Sequence, residues 1–171
     1  TRPIQNVHIQ GIEYQFKWQP FETTRVIFNQ AYAKIDSDYL ASALAISSPD
    51  LLAPRRSQDI TDFTEHSMPR RASSVLLIQK LPFGLDFSVA GYWQDKMKWS
   101  TTTWSPKYHR FDARLGYPFR SGGLSGEIAF NVQSLNGAHN EYKWSDYTGS
   151  FNKQDDRVVE RRQWVSLRLD F

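Results

Sequence analysis

The feature that most constrains this chain is a period of two. In "LDFSVAGYWQ", residues 85 to 94, Leu85, Phe87, Val89, Gly91 and Trp93 alternate with Asp86, Ser88, Ala90, Tyr92 and Gln94. Only an extended strand sends alternate side chains to opposite faces, so this run predicts a strand with one apolar and one wet side. The pattern recurs. Ile12, Tyr14, Phe16 and Trp18 alternate with Glu13, Gln15 and Lys17 before Pro20, which predicts a strand end. Phe111, Ala113, Leu115 and Tyr117 alternate with Arg110, Asp112, Arg114 and Gly116, and Ile128, Phe130 and Val132 with Glu127, Asn131 and Gln133. The segment at 24–36 is strand-like with two competing phases, Val26, Phe28 and Tyr32 against Ile27, Ala31 and Ile35. The last segment, "RRQWVSLRLDF", carries Val165, Leu167, Leu169 and Phe171 on one side and Trp164, Ser166, Arg168 and Asp170 on the other.

Turn residues at Pro82-Phe83-Gly84 and Ser121-Gly122-Gly123 join these runs into hairpins, giving about seven strands of roughly ten residues. The other connections are long: loops near 37–71, 97–106 and 137–160. The first contains three Pro and reads as an extended loop in which "DYLASALA" forms at most a short helix. Residues 57–66 read poorly as a further strand. Tight turns on one side and long, aromatic-bearing loops on the other are the pattern of a transmembrane barrel. The predicted fold is therefore all-β: a single antiparallel transmembrane β-barrel segment over residues 1–171, part of a larger barrel because bacterial barrels have even strand numbers.

Composition agrees. Hydrophobic residues make up 40% and aromatics 15%, with six Trp, while the mean hydropathy is only -0.58. No run reaches the roughly 18 apolar residues of a spanning helix, whereas barrel strands need apolar side chains only at alternate positions. A soluble β-sandwich shares the alternation. It does not explain the unequal connections, the terminal Phe, or Trp18, Trp93, Tyr117 and Phe119 near strand ends, where interfacial aromatics belong. Cysteine is absent, which excludes disulfides and thiolate chemistry. The 21 basic and 18 acidic residues are interspersed, so no nucleic-acid footprint is expected.

The ordered set "GIEYQFKWQP", "TRVIFNQAYAKID", "SSVLLIQKLPFGLDFSVAGYWQD", "HRFDARLGYPFR", "GEIAFNVQSLNG" and "RRQWVSLRLDF" resembles the C-terminal barrel strands of TonB-dependent outer-membrane receptors. The resemblance implies a location in the bacterial outer membrane, contact with lipid and lipopolysaccharide, and uptake of a scarce nutrient such as an iron chelate. It also implies that Val165, Leu167, Leu169 and Phe171 form the signal read by the barrel-assembly machinery. The family's plug domain and its TonB-engaging motif are not visible in residues 1–171, so contact with TonB is expected only through a plug outside this sequence.

Candidate ligand contacts are cationic and aromatic loop residues: Arg55, Arg56, Arg70 and Arg71 in the first loop, Trp99 and Trp104 in the second, Tyr142, Trp144 and Tyr147 in the third. Cations beside aromatics suit an anionic chelate; the same residues equally suit lipopolysaccharide phosphates and the membrane interface. Neither a cofactor nor a metal is expected, since His8, His66, His109 and His139 lack zinc-ligand spacing. Asp59, Asp62, Glu65 and His66 form an acidic cluster beside a possible base. No nucleophile arrangement accompanies it, so the expectation is a receptor, not an enzyme. The alternatives are a self-contained outer-membrane barrel acting as anchor or adhesin, a transporter built from several chains, and a rim-site outer-membrane enzyme. The pairs Arg110 with Asp112 and Arg168 with Asp170 predict charge pairing on the wet face.

Overall fold

The computed structural model describes residues 3–46, 53–144 and 157–170. Strands β1 (Gln5–Phe21) and β2 (Thr24–Tyr39) form a long hairpin closed by Glu22 and Thr23, and two helices follow, α1 (Ala41–Ile46) and α2 (Ala53–Glu65). β3 (Arg71–Lys80) and β4 (Asp86–Gln94) make the second hairpin. Short strands β5 (Met97–Lys98) and β6 (Thr103–Ser105) precede β7 (Tyr108–Ser121) and β8 (Leu124–Gln133). The chain continues through β9 (His139–Trp144), β10 (Arg157–Val159) and β11 (Arg162–Asp170).

Seven strands pair in the order β1-β2-β3-β4-β7-β8-β11, each antiparallel to its neighbours, and β10-β9-β6-β5 form a second, four-stranded sheet. The seven-strand count and the hairpin turns thus agree with the alternation. Among the described residues the large sheet is open: β1 and β11 are its two edges and do not pair with each other. No described helix is long and apolar enough to cross a membrane.

Register resolves the ambiguous phase of β2. Phe16 pairs with Phe28, Phe28 with Val75, Val75 with Gly91 and Gly91 with Phe111. Val26, Phe28 and Tyr32 therefore join the apolar face, while Ile27, Ala31 and Ile35 lie on the other. The same apolar face runs on through Leu115, Phe130 and Val165. It is the more open side: Ile12, Phe16, Val165 and Leu167 are all more than half exposed. Ile35, Ala43 and Ala129 are the only buried apolar residues among those described, and Ala129 sits on the polar face between Gly116 and Ser166.

The strands lean. One rung runs Thr24–Gln79–Phe87–Leu115. Thr24 directly follows the first turn, but Leu115 lies seven residues before Gly122 of the third, a stagger of about six residues between two turns that lie four strand spacings apart, one between β1 and β2 and the other between β7 and β8. At about 3.3 Å per residue and 4.8 Å per strand, the line of turns makes an angle near 45° with the strands.

Three expectations need correction. Residues 37–71 are not an extended loop: β2 continues to Tyr39 and α1 and α2 occupy much of the rest. Pro54 in the first turn of α2 leaves unsatisfied only a position that a helix does not use. Pro20 does not end β1, because β1 is an edge strand and its pairing with β2 is irregular between Trp18 and Phe21. Nor are the 97–106 and 137–160 connections free of strands, since they supply the small sheet. Residues 57–66, considered for an extra strand, are helical up to Glu65.

Candidate functional site

Two constructions stand on the polar side and at the loop end of the sheet. The first is a clasp around Trp104. Along α2, Thr61, Thr64 and Glu65 recur at helical spacing and face β1 and β2. Ser37 N–H donates to Glu65 Oε1 at 3.1 Å, Ser37 Oγ donates to the Thr61 carbonyl at 3.4 Å, and Thr64 Oγ1 donates to Gln5 Oε1 at 3.2 Å. Asp62 and His66, one turn apart, face the β5–β6 hairpin instead. Asp62 binds Lys98 Nζ, His66 Nδ1 lies 3.1 Å from Asp62 Oδ1, and the Lys98 backbone N–H donates to the His66 carbonyl at 2.7 Å. Lys98 is buried. Its ammonium sits 4.8 Å from the Trp104 ring centre, that of Lys96 5.3 Å, and the His66 ring 5.8 Å. One carboxylate and one indole face thus hold a desolvated lysine, each partner compensating part of the loss of water.

The second construction is a trough on the polar face, 680 Å³ in volume, crossing β1, β2, β3, β4 and β7. Register places small residues in the middle and long polar ones at the sides. One rung reads Glu13–Ala31–Ala72–Gln94–Tyr108, the next Gln15–Asn29–Ser74–Tyr92–Arg110. Gln15 Nε2 donates to Asn29 Oδ1 at 2.6 Å and Asn29 Nδ2 to Ser74 Oγ at 3.1 Å. The Arg110 guanidinium covers the Tyr92 ring at 4.6 Å and pairs with Asp112 at 3.1 Å, and Asp112 also accepts the Ser134 N–H at 3.0 Å. Arg110 Nε is buried with no hydrogen-bond partner. Tyr108 at the rim stacks on His139 at 5.0 Å, which joins the trough wall to the small sheet.

Beyond the trough the polar face is ionic. Arg114 pairs with Glu127 at 2.7 Å, Arg168 reaches Glu127 at 4.0 Å and Asp170 at 3.5 Å. The expected pairs Arg110–Asp112 and Arg168–Asp170 are both present, and Glu127 adds the cross-strand link that single-strand spacing did not reveal.

Of the candidate ligand residues, Arg70, Arg71, Trp99 and Trp104 have described side chains. Arg70 and Arg71 are exposed at the start of β3. Trp99 is 62% exposed at the tip of the β5–β6 hairpin, whereas Trp104 is engaged by the two lysines and His66. Arg55 and Arg56 lie in α2 and Tyr142 and Trp144 in β9; their side chains, like Tyr147, fall outside the described residues. Val165, Leu167 and Leu169 line the exposed apolar edge on β11, and Phe171 lies outside the described residues. The acidic cluster divides, with Glu65 turned to β2 and Asp62 to Lys98. Among the described residues no three His, Asp or Glu side chains stand together as a metal site. The trough was missed because its small floor, Ala31 and Ala72, carries no chemistry; the signal was Ala and Ser at the wet positions of β2 and β3 between polar neighbours.

No protein-family model matches the chain, and no curated protein is significantly similar to it.

Proposed function

We propose that this chain is a wall segment of an outer-membrane β-barrel of the TonB-dependent receptor kind, contributing strands, external loops and assembly signal to the uptake of a scarce nutrient such as an iron chelate. The observation that carries the membrane part is the inverted burial of the large sheet. Its apolar face is open while charged and amide side chains pair on the other, the arrangement expected when lipid covers the outside and water the inside. From His109 to Phe119 the apolar side of β7 spans about ten residues; tilted near 45°, that is about 23 Å, close to the roughly 25 Å apolar band of such barrels. Aromatics flank the band, with Tyr14, Trp93 and Phe111 towards the loops and Trp18, Phe21 and Tyr117 towards the turns.

Strand direction favours a segment of a larger wall over a self-contained barrel. β1 and β11 are first and seventh in an alternating order, so they run the same way, and antiparallel closure takes an odd number of further strands. Each unpaired edge group in lipid would cost several kcal/mol. The transport role rests on the sequence resemblance: the loops would capture ligand and a plug outside residues 1–171 would meet TonB.

Tryptophan quenching by brominated lipids tests the membrane reading. Refolded into vesicles of brominated phosphatidylcholine, the chain should lose much of its fluorescence, and Trp18→Phe with Trp93→Phe should remove most of the quenchable part. Quenching that is absent, or unchanged in the double variant, would refute lipid contact by this face.

A further inference from the structure

We propose that the trough on the polar face binds a neutral polyhydroxylated ligand, a saccharide of one or a few rings. Its volume, 680 Å³, lies within the range of about 300–1,000 Å³ typical of small-molecule sites. The floor is kept low by Ala31, Ala72 and Ser74, and longer side chains rise on both sides, so a flat, ring-sized solute fits across the two central strands.

The lining decides the chemistry. Donors and acceptors are mixed. Glu13 is exposed and has no ion pair among the described residues; Arg110 Nε is a buried donor without a partner. Between them stand amides whose hydrogen-bonding capacity is only partly used. In the chain Gln15–Asn29–Ser74 each amide nitrogen makes one side-chain hydrogen bond out of two possible, and the Gln94 oxygen accepts from Tyr108 at 3.4 Å, leaving its nitrogen to point elsewhere. A hydroxyl both donates and accepts, so a row of hydroxyls satisfies such a lining, whereas a phosphate or carboxylate satisfies only donors. The cation in the trough is already neutralised by Asp112, and Glu13 repels anions. An anionic chelate is therefore the wrong ligand for this position, whatever the external loops capture. The inference does not rest on the membrane reading, because it uses only the polar face.

The test is saturation-transfer NMR on the full chain in detergent micelles, with maltose and N,N'-diacetylchitobiose as probes and citrate as the anionic comparator. Transfer to at least one disaccharide and none to citrate is expected. Ala72→Leu fills the floor and should abolish transfer. Glu13→Gln alters one exposed group without threatening the fold and should weaken Kd about tenfold, as for a hydrogen bond to a charged group. With the strand signal intact by circular dichroism, three results would overturn the proposal: no transfer to either disaccharide, equal transfer in both variants, or preference for citrate. Lipid quenching is read separately, so failure here leaves the membrane reading untouched, and the reverse holds.

Discussion

The two faces of the seven-stranded sheet share one backbone and are held by different means. On the polar face side chains find partners within the protein: amides and hydroxyls from Gln15 to Ser74, then Glu127 between Arg114 and Arg168. Glu127 is only 15% exposed although it is charged. On the apolar face the contacts are fewer: ring pairs such as Tyr14 with Phe28 at 6.0 Å and Trp93 with Phe111 at 5.4 Å, and hydrogen bonds from Tyr14 to Gln30 and from Thr24 to Gln79. Leu115 on a central strand is still 41% exposed. A soluble sheet distributes burial the other way, because removing apolar area from water is its main source of stability. The difference teaches that register alone does not set burial here: the polar face is tied together from within, and the apolar face has no covering layer among the described residues.

Reversing one residue on each face would break that comparison most sharply. Leu115→Arg places a guanidinium mid-band on β7, and in lipid it should destabilise the folded chain by about 2–4 kcal/mol. Asn131→Arg, beside it on β8 but facing the ionic side, should cost under about 1 kcal/mol. Urea unfolding in vesicles measures both. Equal small effects would mean that neither face meets hydrocarbon, since a surface Arg in water changes stability little.

The faces were legible in the sequence, and the parts that were not had physical reasons. Alternation in β4, β7, β8 and β11 assigned every side chain to a face, because a one-residue slip would invert the whole pattern. β2 was ambiguous because both of its faces carry apolar residues, Phe28 on the open apolar face and Ile35 on the face that meets α2. The helix α2 was hidden by its polarity. Its contacts with the sheet run through Thr61, Thr64 and Glu65, so it lacks the apolar stripe by which an amphipathic helix is recognised. The clasp at Trp104 and the trough are tertiary. Asp62 and Lys98 are far apart in sequence, and the trough appears only when five strands are set in register.

The clasp sharpens a second aspect of the comparison, since it secures the loop end without either face. Lys98→Met keeps much of the side-chain volume but removes the charge from between Asp62 and Trp104. Leaving Asp62 with His66 and the indole with Lys96 as their remaining partners should cost about 1 kcal/mol, confined to the loop end. Amide exchange in α2 should accelerate about five- to tenfold while the amides of β3 and β4 stay protected. Uniform acceleration across the sheet would instead make the clasp part of one cooperative unit.

The smallest expected effect lies on the apolar face, at Gly91, and the second glycine of that face, Gly126, is its contrast. A Cβ on Gly91 would meet Trp93 at 2.6 Å and Phe111 at 3.0 Å, in each case the outer part of a ring. A Cβ on Gly126 would meet the Phe119 ring at 2.7 Å and, closer still, the backbone carbonyl of Arg168. Rings on an open face can swing away; a carbonyl in a ladder cannot without disturbing the pairing of β8 with β11. Gly91→Ala should therefore change stability by about 0.5 kcal/mol or less, since the added methyl also limits the unfolded chain. Gly126→Ala should cost about 1–3 kcal/mol, as overpacking against fixed atoms does. If Gly91→Ala is as costly as Gly126→Ala, Trp93 and Phe111 are locked in place by something packed against them, and the apolar face has a protein partner in place of fluid lipid.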